Sequence, residues 1–465
     1  MKTPITIFSL PEELLVAIAA AGQEGRASTR AVDLQPAKEV FRSEWALSHT
    51  SRRFRNVIVS ASALWTLIEI LLDIPGSVKI FKLYLQRSRA CEISVTFRSP
   101  FSADEGLLKS CLRRIVPNLG RLWRLAIMLG TEPVEALAPL HNVEAPHLKH
   151  LEVITNHADT ECIEIFSSGA PRLSFLKIDG LKFALPKPSW TAALTRLELW
   201  QGQEERNNGD LVAITAQCPR LAHLHLDISW LSAEVTRSGF HIPTLSSLHL
   251  KVSDHGGGQF KLAATLDLFD APSLTEFVVD GTHGDQIFVL FNQRRKLPHA
   301  SFPALTTLSF VNKSSNCRCR GQSFLNTTCQ PPDLLFPALS SLTLINQCFA
   351  SRMVEDILGQ PWPGLRTLTL CPTRVDLTPM GKAVNDALRP DRPRARGLPA
   401  LRLSPALLAR GEWQDGEADV KVFDPAHVLR SFHRCPIPDN VYAYAGSTRT
   451  RIISSTFPTR LAIGR

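Results

Sequence analysis

From about residue 115 onward, apolar and polar positions alternate within one recurring phrase, Pro-x-Leu-x-x-Leu-x-Leu. Its clearest copy is Pro219-Arg220-Leu221-Ala222-His223-Leu224-His225-Leu226. The phrase returns behind Pro146, Pro171, Pro243, Pro272, Pro303, Pro337 and Pro363, and two more copies, opening at Leu122 and Leu194, lack the proline. Its first leucines stand at 122, 148, 173, 194, 221, 245, 274, 305, 339 and 365, steps of 21 to 34 residues. A period of this size signals stacked supersecondary units, none of which buries its apolar face alone. In the last four positions apolar residues occur at every second place, the spacing of a strand with one buried face. Proline suits the entry to such a strand, because it offers no amide to the ladder and pre-sets an extended approach.

The N-terminal pattern is helical. Ser9-Leu10-Pro11-Glu12 reads as a capping box. Leu14 and Ile18 follow one turn apart on an apolar face that Gly22 and Gly25 should end. Residues 22–38 are small and polar and read as an inserted loop. A second helix is expected from Glu39, carrying Phe41, Trp45, Leu47, Phe54 and Ile58 at helical spacing and breaking between Asn56 and Ser62. Leu64-Trp65 opens a third short segment.

The recurring phrase resembles the strand segment of leucine-rich repeats, which implies an α/β fold: a solenoid whose short strands form one parallel sheet. The Asn or Cys usual just beyond the last leucine is present as Asn156 in one copy. Leu181, Gly202, Ser229, Ser253, Thr282, Lys313, Gln347 and Thr373 fill the place elsewhere. The solenoid is therefore expected to be irregular. Ahead of it, three stretches resemble an F-box, the small helical module that docks onto the Skp adaptor of cullin-based ubiquitin ligases. They are Leu10-Pro11-Glu12-Glu13-Leu14, Leu47-Ser48-His49-Thr50-Ser51-Arg52-Arg53-Phe54-Arg55 and Ala63-Leu64-Trp65. Thr50-Ser51 replaces the family's Val-Cys, and Phe54 its tryptophan. Tyr84–Phe97 is similar to the linker of fungal F-box proteins, Leu-x-Arg-Ser followed by an alternating strand at Ile93, Val95 and Phe97. The resulting plan is an F-box-like module over 7–70, a linker with a first strand over 71–115 and the repeats over 116–410. A cap over 411–440 and a basic tail over 441–465 complete it. A helical cap closing the end of the repeats is the other reading of residues 9–65.

Composition narrows the function. With 44% hydrophobic and 20% charged residues, the bulk of the 465-residue chain is expected to fold. The net charge of +9 comes without a long basic block or an aromatic-interleaved basic stripe, which argues against a nucleic-acid partner. No apolar run reaches the roughly 20 residues of a membrane span. There is no signal-peptide pattern, and ten cysteines lie without regular spacing, so a cytoplasmic or nuclear protein with reduced thiols is expected. Cys317-Arg318-Cys319, with Cys329 and Cys348 beyond, lacks zinc-ligand spacing. Asn312–Asp333 reads as a polar loop, Asp376–Gly397 as a Pro- and Arg-rich connection, and Val420–Phe423 as a terminal strand.

Residues between the inward leucines should point to the opposite face of the sheet. There a client could meet Lys177, Arg196, Glu198, Trp200, His223, His225 and His249, where charge and an aromatic ring coincide; solvated strand residues are the plainer alternative. The three histidines invite a metal or pH-switch reading, but no Cys or carboxylate is fixed beside them by spacing. Catalytic motifs and phosphate-binding glycine loops are absent from the sequence, so no cofactor and no enzymatic activity are expected. The resemblance implies a substrate-recognition subunit of a Skp–cullin–F-box ligase. Leu10, Pro11, Leu14, Ile18, Leu47, Phe54 and Trp65 would then contact the adaptor or knit the module, the adaptor linking the chain to a cullin. The alternative is a repeat scaffold without ligase association.

Overall fold

A computed structural model describes residues 7–29, 42–99, 105–130, 134–183, 188–200, 215–228, 240–252, 268–281, 302–312, 336–346, 364–372, 377–388, 399–408 and 420–422. Within these, residue 75 is left out, and a few isolated positions between the segments are also described. The chain divides into two compact units with a boundary between Ala61 and Ser62. This boundary falls inside the span 7–70 expected for the helical module, so Leu64-Trp65 belongs with the sheet.

The first unit holds three helices, α1 (Glu12–Thr29), α2 (Ser43–Thr50) and α3 (Arg52–Ser60). Two expectations need correcting. Gly22 and Gly25 do not end α1, which runs on to Thr29; a helical glycine costs only about 1 kcal/mol against alanine. The second expected helix is two helices. Ser51 is extended (φ −156°, ψ 167°), and its hydroxyl accepts from the Phe54 amide, so it caps α3 and stops α2. The break expected between Asn56 and Ser62 falls at Ala61, where α3 ends. Ser9 lies in a short 3-10 turn, Ile7–Ser9, and the first bond of α1 runs from the Leu15 amide to the Pro11 carbonyl. Leu15, Phe54 and Val57 form the core of this unit, with Leu10, Val16 and Leu47 packed partly against it.

The second unit is α/β and built on one sheet of 14 strands. In chain order these are β1 (Leu67–Leu71), β2 (Ile93–Arg98), β3 (Leu122–Leu129), β4 (His150–Ile163), β5 (Phe175–Phe183), β6 (Arg196–Trp200) and β7 (His223–Asp227). They continue with β9 (Ser247–Lys251), β11 (Glu276–Asp280), β12 (Thr307–Val311), β13 (Ser341–Ile345), β14 (Thr367–Cys371), β15 (Ala400–Leu403) and β16 (Val420–Val422). Two short strands, β8 (Phe240–His241) and β10 (Phe269–Asp270), pair separately. Every neighbouring pair in the large sheet is parallel, and each strand lies beside the next in the chain. β1 precedes the strand at Ile93–Phe97 that the alternation marked as first. Within Asp376–Gly397, the helix Leu377–Leu388 stands where only a connection was expected.

In-register pairing lines up the phrase. Leu125, Leu151, Leu176, Leu197, Leu224, Leu248, Phe277, Leu308, Leu342 and Leu368 form one buried row across the sheet. The proline serves the turn before the strand rather than the strand itself. In every copy the first leucine's amide donates to the carbonyl three residues back: Leu148 to Ala145, Leu173 to Ala170, Leu221 to Cys218, Leu245 to Ile242, Leu305 to Phe302. Seven described prolines thus occupy the second position of a β-turn, where their fixed φ fits. Successive repeats are also tied by a hydroxyl ladder just after that leucine. Ser174, Thr195, Ser246, Thr275, Thr306 and Ser340 donate to main-chain carbonyls of the preceding repeat at 3.0–3.2 Å. Part of what the missing asparagines would supply is supplied here.

Candidate functional site

Two features combine chemistry with position. The first is the outer side of α1. Pro11, Leu14 and Ile18 fall at i, i+3 and i+7, one stripe of a helix, and all three are exposed. Ile7, Leu14 and Ile18 are 47%, 49% and 43% accessible, while Leu15 and Ala19 on the same helix are buried. The Arg53 guanidinium donates to the Leu10 carbonyl at 2.6 Å and fixes the turn leading into the stripe. Of the other residues expected at an adaptor interface, Phe54 lies in the core, and Leu10 and Leu47 pack against it. Trp65 is fully buried in the sheet unit, its ring 5.0 Å from Tyr84 and beneath the Arg87 guanidinium at 4.3 Å. The linker motif is explained by the same corner. Ser88 accepts from Arg121 at 2.7 Å, and Arg121 also donates to the Leu85 and Cys91 carbonyls and to Asn118.

The second feature is the sheet face opposite the leucines. Register places Glu152, Lys177, Glu198, His225 and His249 in one row, and His150, Phe175, Arg196 and His223 in the next. All seven residues expected to meet a client therefore share one face. Lys177, Glu198, Trp200, His225 and His249 are buried, and Arg196 and His223 half-buried. Their charges are engaged with one another. Lys177 Nζ lies 3.4 Å from Glu152 and 3.8 Å from Glu198; Arg124 Nη2 lies 3.5 Å from Glu152, and Arg196 donates twice to one Glu198 oxygen, at 2.7 and 2.9 Å. Burial opposes the charged Glu152 carboxylate, but Lys177, His150 and Arg124 outweigh it and hold its carboxyl at about 2. Burial likewise opposes the Lys177 ammonium, yet Glu152, Glu198 and Asp179 raise its pKa above the ordinary value. Burial lowers His150 to about 4, with Arg124 acting the same way against Glu152 and Glu198. Its ring stacks on Phe175 at 4.1 Å.

Further along the face, His225 and His249 stack at 3.7 Å with Trp200 4.1 Å from His225. Lys251 lies 4.8 Å from the Trp200 ring and pairs with Asp227 at 3.1 Å. Among the described residues no group of three or more His, Cys, Asp or Glu is placed to hold a metal ion. Cys317, Cys319, Cys329 and Cys348, the polar loop expected over Asn312–Asp333 apart from Asn312 itself, and the tail 441–465 lie outside the described residues. No described helix is long and apolar enough to cross a membrane.

Fold and site together define an α/β protein whose parallel sheet is assembled from one recurring strand unit, accompanied by a small helical unit with an exposed apolar stripe. No family model and no curated protein matches the sequence. Solved structures that match include a Bacteroides fragilis protein, at 13% identity and a TM-score of 0.32 over 76% of each chain. Another is the yeast Rad7–Elc1 complex, at 12% identity and a TM-score of 0.33, over 86% of this chain and 98% of the other.

Proposed function

We propose that this chain is a substrate-recognition subunit of a Skp–cullin–F-box ubiquitin ligase. The helical unit is an F-box-like module for a Skp-type adaptor, and the parallel sheet is a leucine-rich-repeat solenoid that holds a client protein. The observation carrying this reading is the stripe on α1. Two of the five exposed large apolar side chains among the described residues, Leu14 and Ile18, lie on it, and a third, Ile7, stands in the short turn that precedes α1. Scattered apolar residues are ordinary on a surface, but a cluster on a small helical unit is the mark of a docking face. The stripe coincides with the Leu-Pro-x-Glu words of the F-box resemblance. In this reading the chain performs no chemistry itself. It contributes proximity, fixing a client near the ubiquitin-loaded enzyme that its partners recruit.

Capture on a purified Skp-type adaptor tests the proposal. The exposed halves of Leu14 and Ile18 are each worth about 0.7–1.5 kcal/mol when buried in an interface, half the value for a whole side chain. Leu14→Ala with Ile18→Ala should therefore weaken capture about tenfold to a hundredfold, at 1.4 kcal/mol per factor of ten. No capture by the wild-type chain, or capture indifferent to the double substitution, would return the protein to the class of repeat scaffolds.

A further inference from the structure

The exposed apolar side chains at the head of the first unit stand on two pieces of chain that are held by different means. The helical piece is fixed from α2. The Ser43 hydroxyl donates to the Ala19 carbonyl at 3.1 Å, and a Cβ on Gly22 would stand 2.9 Å from that of Ser43, so the two helices touch there. Leu15 and Ala19, one turn apart, are buried, which leaves Leu14 and Ile18 facing out. The turn ahead of the helix, Ile7–Ser9, is held from α3. Pro11 disfavours a helical conformation at Leu10, so the helix begins beyond it. Its first bond joins the Leu15 amide to the Pro11 carbonyl, and the helix makes no use of the Leu10 carbonyl. Arg53 Nη2 takes that carbonyl instead, at 2.6 Å. Arg53 is itself exposed, so the bond lies at the surface, one residue from Pro11.

We infer that Arg53 is a positioning residue for the docking face. It holds the turn that presents Ile7 at the head of α1, so that a partner meets Ile7, Leu14 and Ile18 already in place. A guanidinium suits the task, because its charge strengthens the bond and its remaining donors stay solvated. Ordering the turn before the partner arrives removes an entropy cost from association. Arg53 thus acts through Ile7, and its own contact with the partner is not required. The inference rests on the reading of α1 as the element that docks a Skp-type adaptor.

The test is a double-substitution cycle on the full-length chain, read as capture by a purified Skp-type adaptor. Arg53→Ala should weaken capture about twofold to tenfold, the worth of one hydrogen bond. Arg53→Lys, which keeps a donor, should weaken it less. Combined with Ile7→Ala, Arg53→Ala should add almost nothing, because the side chain it positions is gone. Combined with Ile18→Ala, whose helix is held from Ser43, its effect should multiply in full. An Arg53 that touched the adaptor directly, or that only supported the fold, would multiply with both, and that result overturns the inference. Capture unchanged by Arg53→Ala overturns it too. Hydrogen exchange on the unbound chain gives a second readout. In Arg53→Ala the peptide spanning residues 7–15 should exchange faster, while those covering α2 and α3 keep their rates. Unchanged exchange over 7–15 overturns the inference whether or not the adaptor binds. A wild-type chain that is not captured sinks the ligase reading instead, and the exchange result then decides alone whether Arg53 holds the turn.

Discussion

Replacing Lys177 by methionine removes the cation between two buried carboxylates. Lys177 reaches Glu152 at 3.4 Å and Glu198 at 3.8 Å, and all three are buried. Breaking such a pair from one side leaves uncompensated charge and costs about 3–5 kcal/mol at neutral pH. The loss should depend on pH, and the sign follows from the protonation states. The Glu152 carboxyl is held at about 2, below its ordinary 4.5, so its stabilising contribution is complete above 4.5 and disappears as pH falls through 2. His150 is lowered from 6.5 to about 4, so its contribution is complete above 6.5 and is lost as pH falls through 4. Each shift corresponds to on the order of 3 kcal/mol, at 1.36 kcal/mol per unit. In Lys177→Met, burial prevails over the remaining attractions at Glu152, its carboxyl takes a proton earlier, and the variant's deficit shrinks toward pH 4. Urea unfolding followed through Trp200, whose ring lies 5.9 Å from Lys177, reads this between pH 7.5 and 4. Adding Glu152→Gln to the variant should recover part of the loss, and His150→Phe should flatten the wild-type slope between pH 6.5 and 4. A cost below about 1 kcal/mol, the usual ceiling for surface pairs, or a deficit constant with pH, would refute the account of a buried ionic ladder.

Two further outcomes are expected. Gly281 has φ +85°, and a Cβ there would run into the Val252 carbonyl, so Gly281→Ala should destabilise the sheet unit by about 2 kcal/mol or more in thermal or urea unfolding. Burial pushes the Cys111 and Cys218 thiols up to about 11 and 12, so both should resist a thiol reagent until the chain unfolds, while half-buried Cys91 reacts before either.

The stacking of the sheet was legible because its cause repeats. An alternation that buries Leu224 and Leu226 on one side recurs in each copy, and parallel pairing in equal register follows from aligning those copies. The same alternation carried Lys177, Glu198, His225 and His249 to one face. Their burial was not legible, because it depends on which charges meet across strands, and periodicity within one strand does not contain that. Glu152 shows the gap: nothing in Leu151-Glu152-Val153 distinguishes a solvated carboxylate from one enclosed by Lys177, Arg124 and His150. A usable signal did exist in the fourth place of the phrase. Ser174, Thr195, Ser246, Thr275, Thr306 and Ser340 recur directly after the first leucine, where a donor to the preceding repeat is required. At the N-terminus the error was about where helices stop. Ser51 stands between Leu47 and Phe54, whose spacing suits a continuous helix, yet its hydroxyl satisfies the Phe54 amide and favours a new start. Beyond that break Phe54 packs with Leu15 in the core, and α1 turns Leu15 inward while Leu14 and Ile18 stay outside. The exposed stripe thus depends on a local competition for one backbone amide, a scale finer than hydrophobic spacing can report.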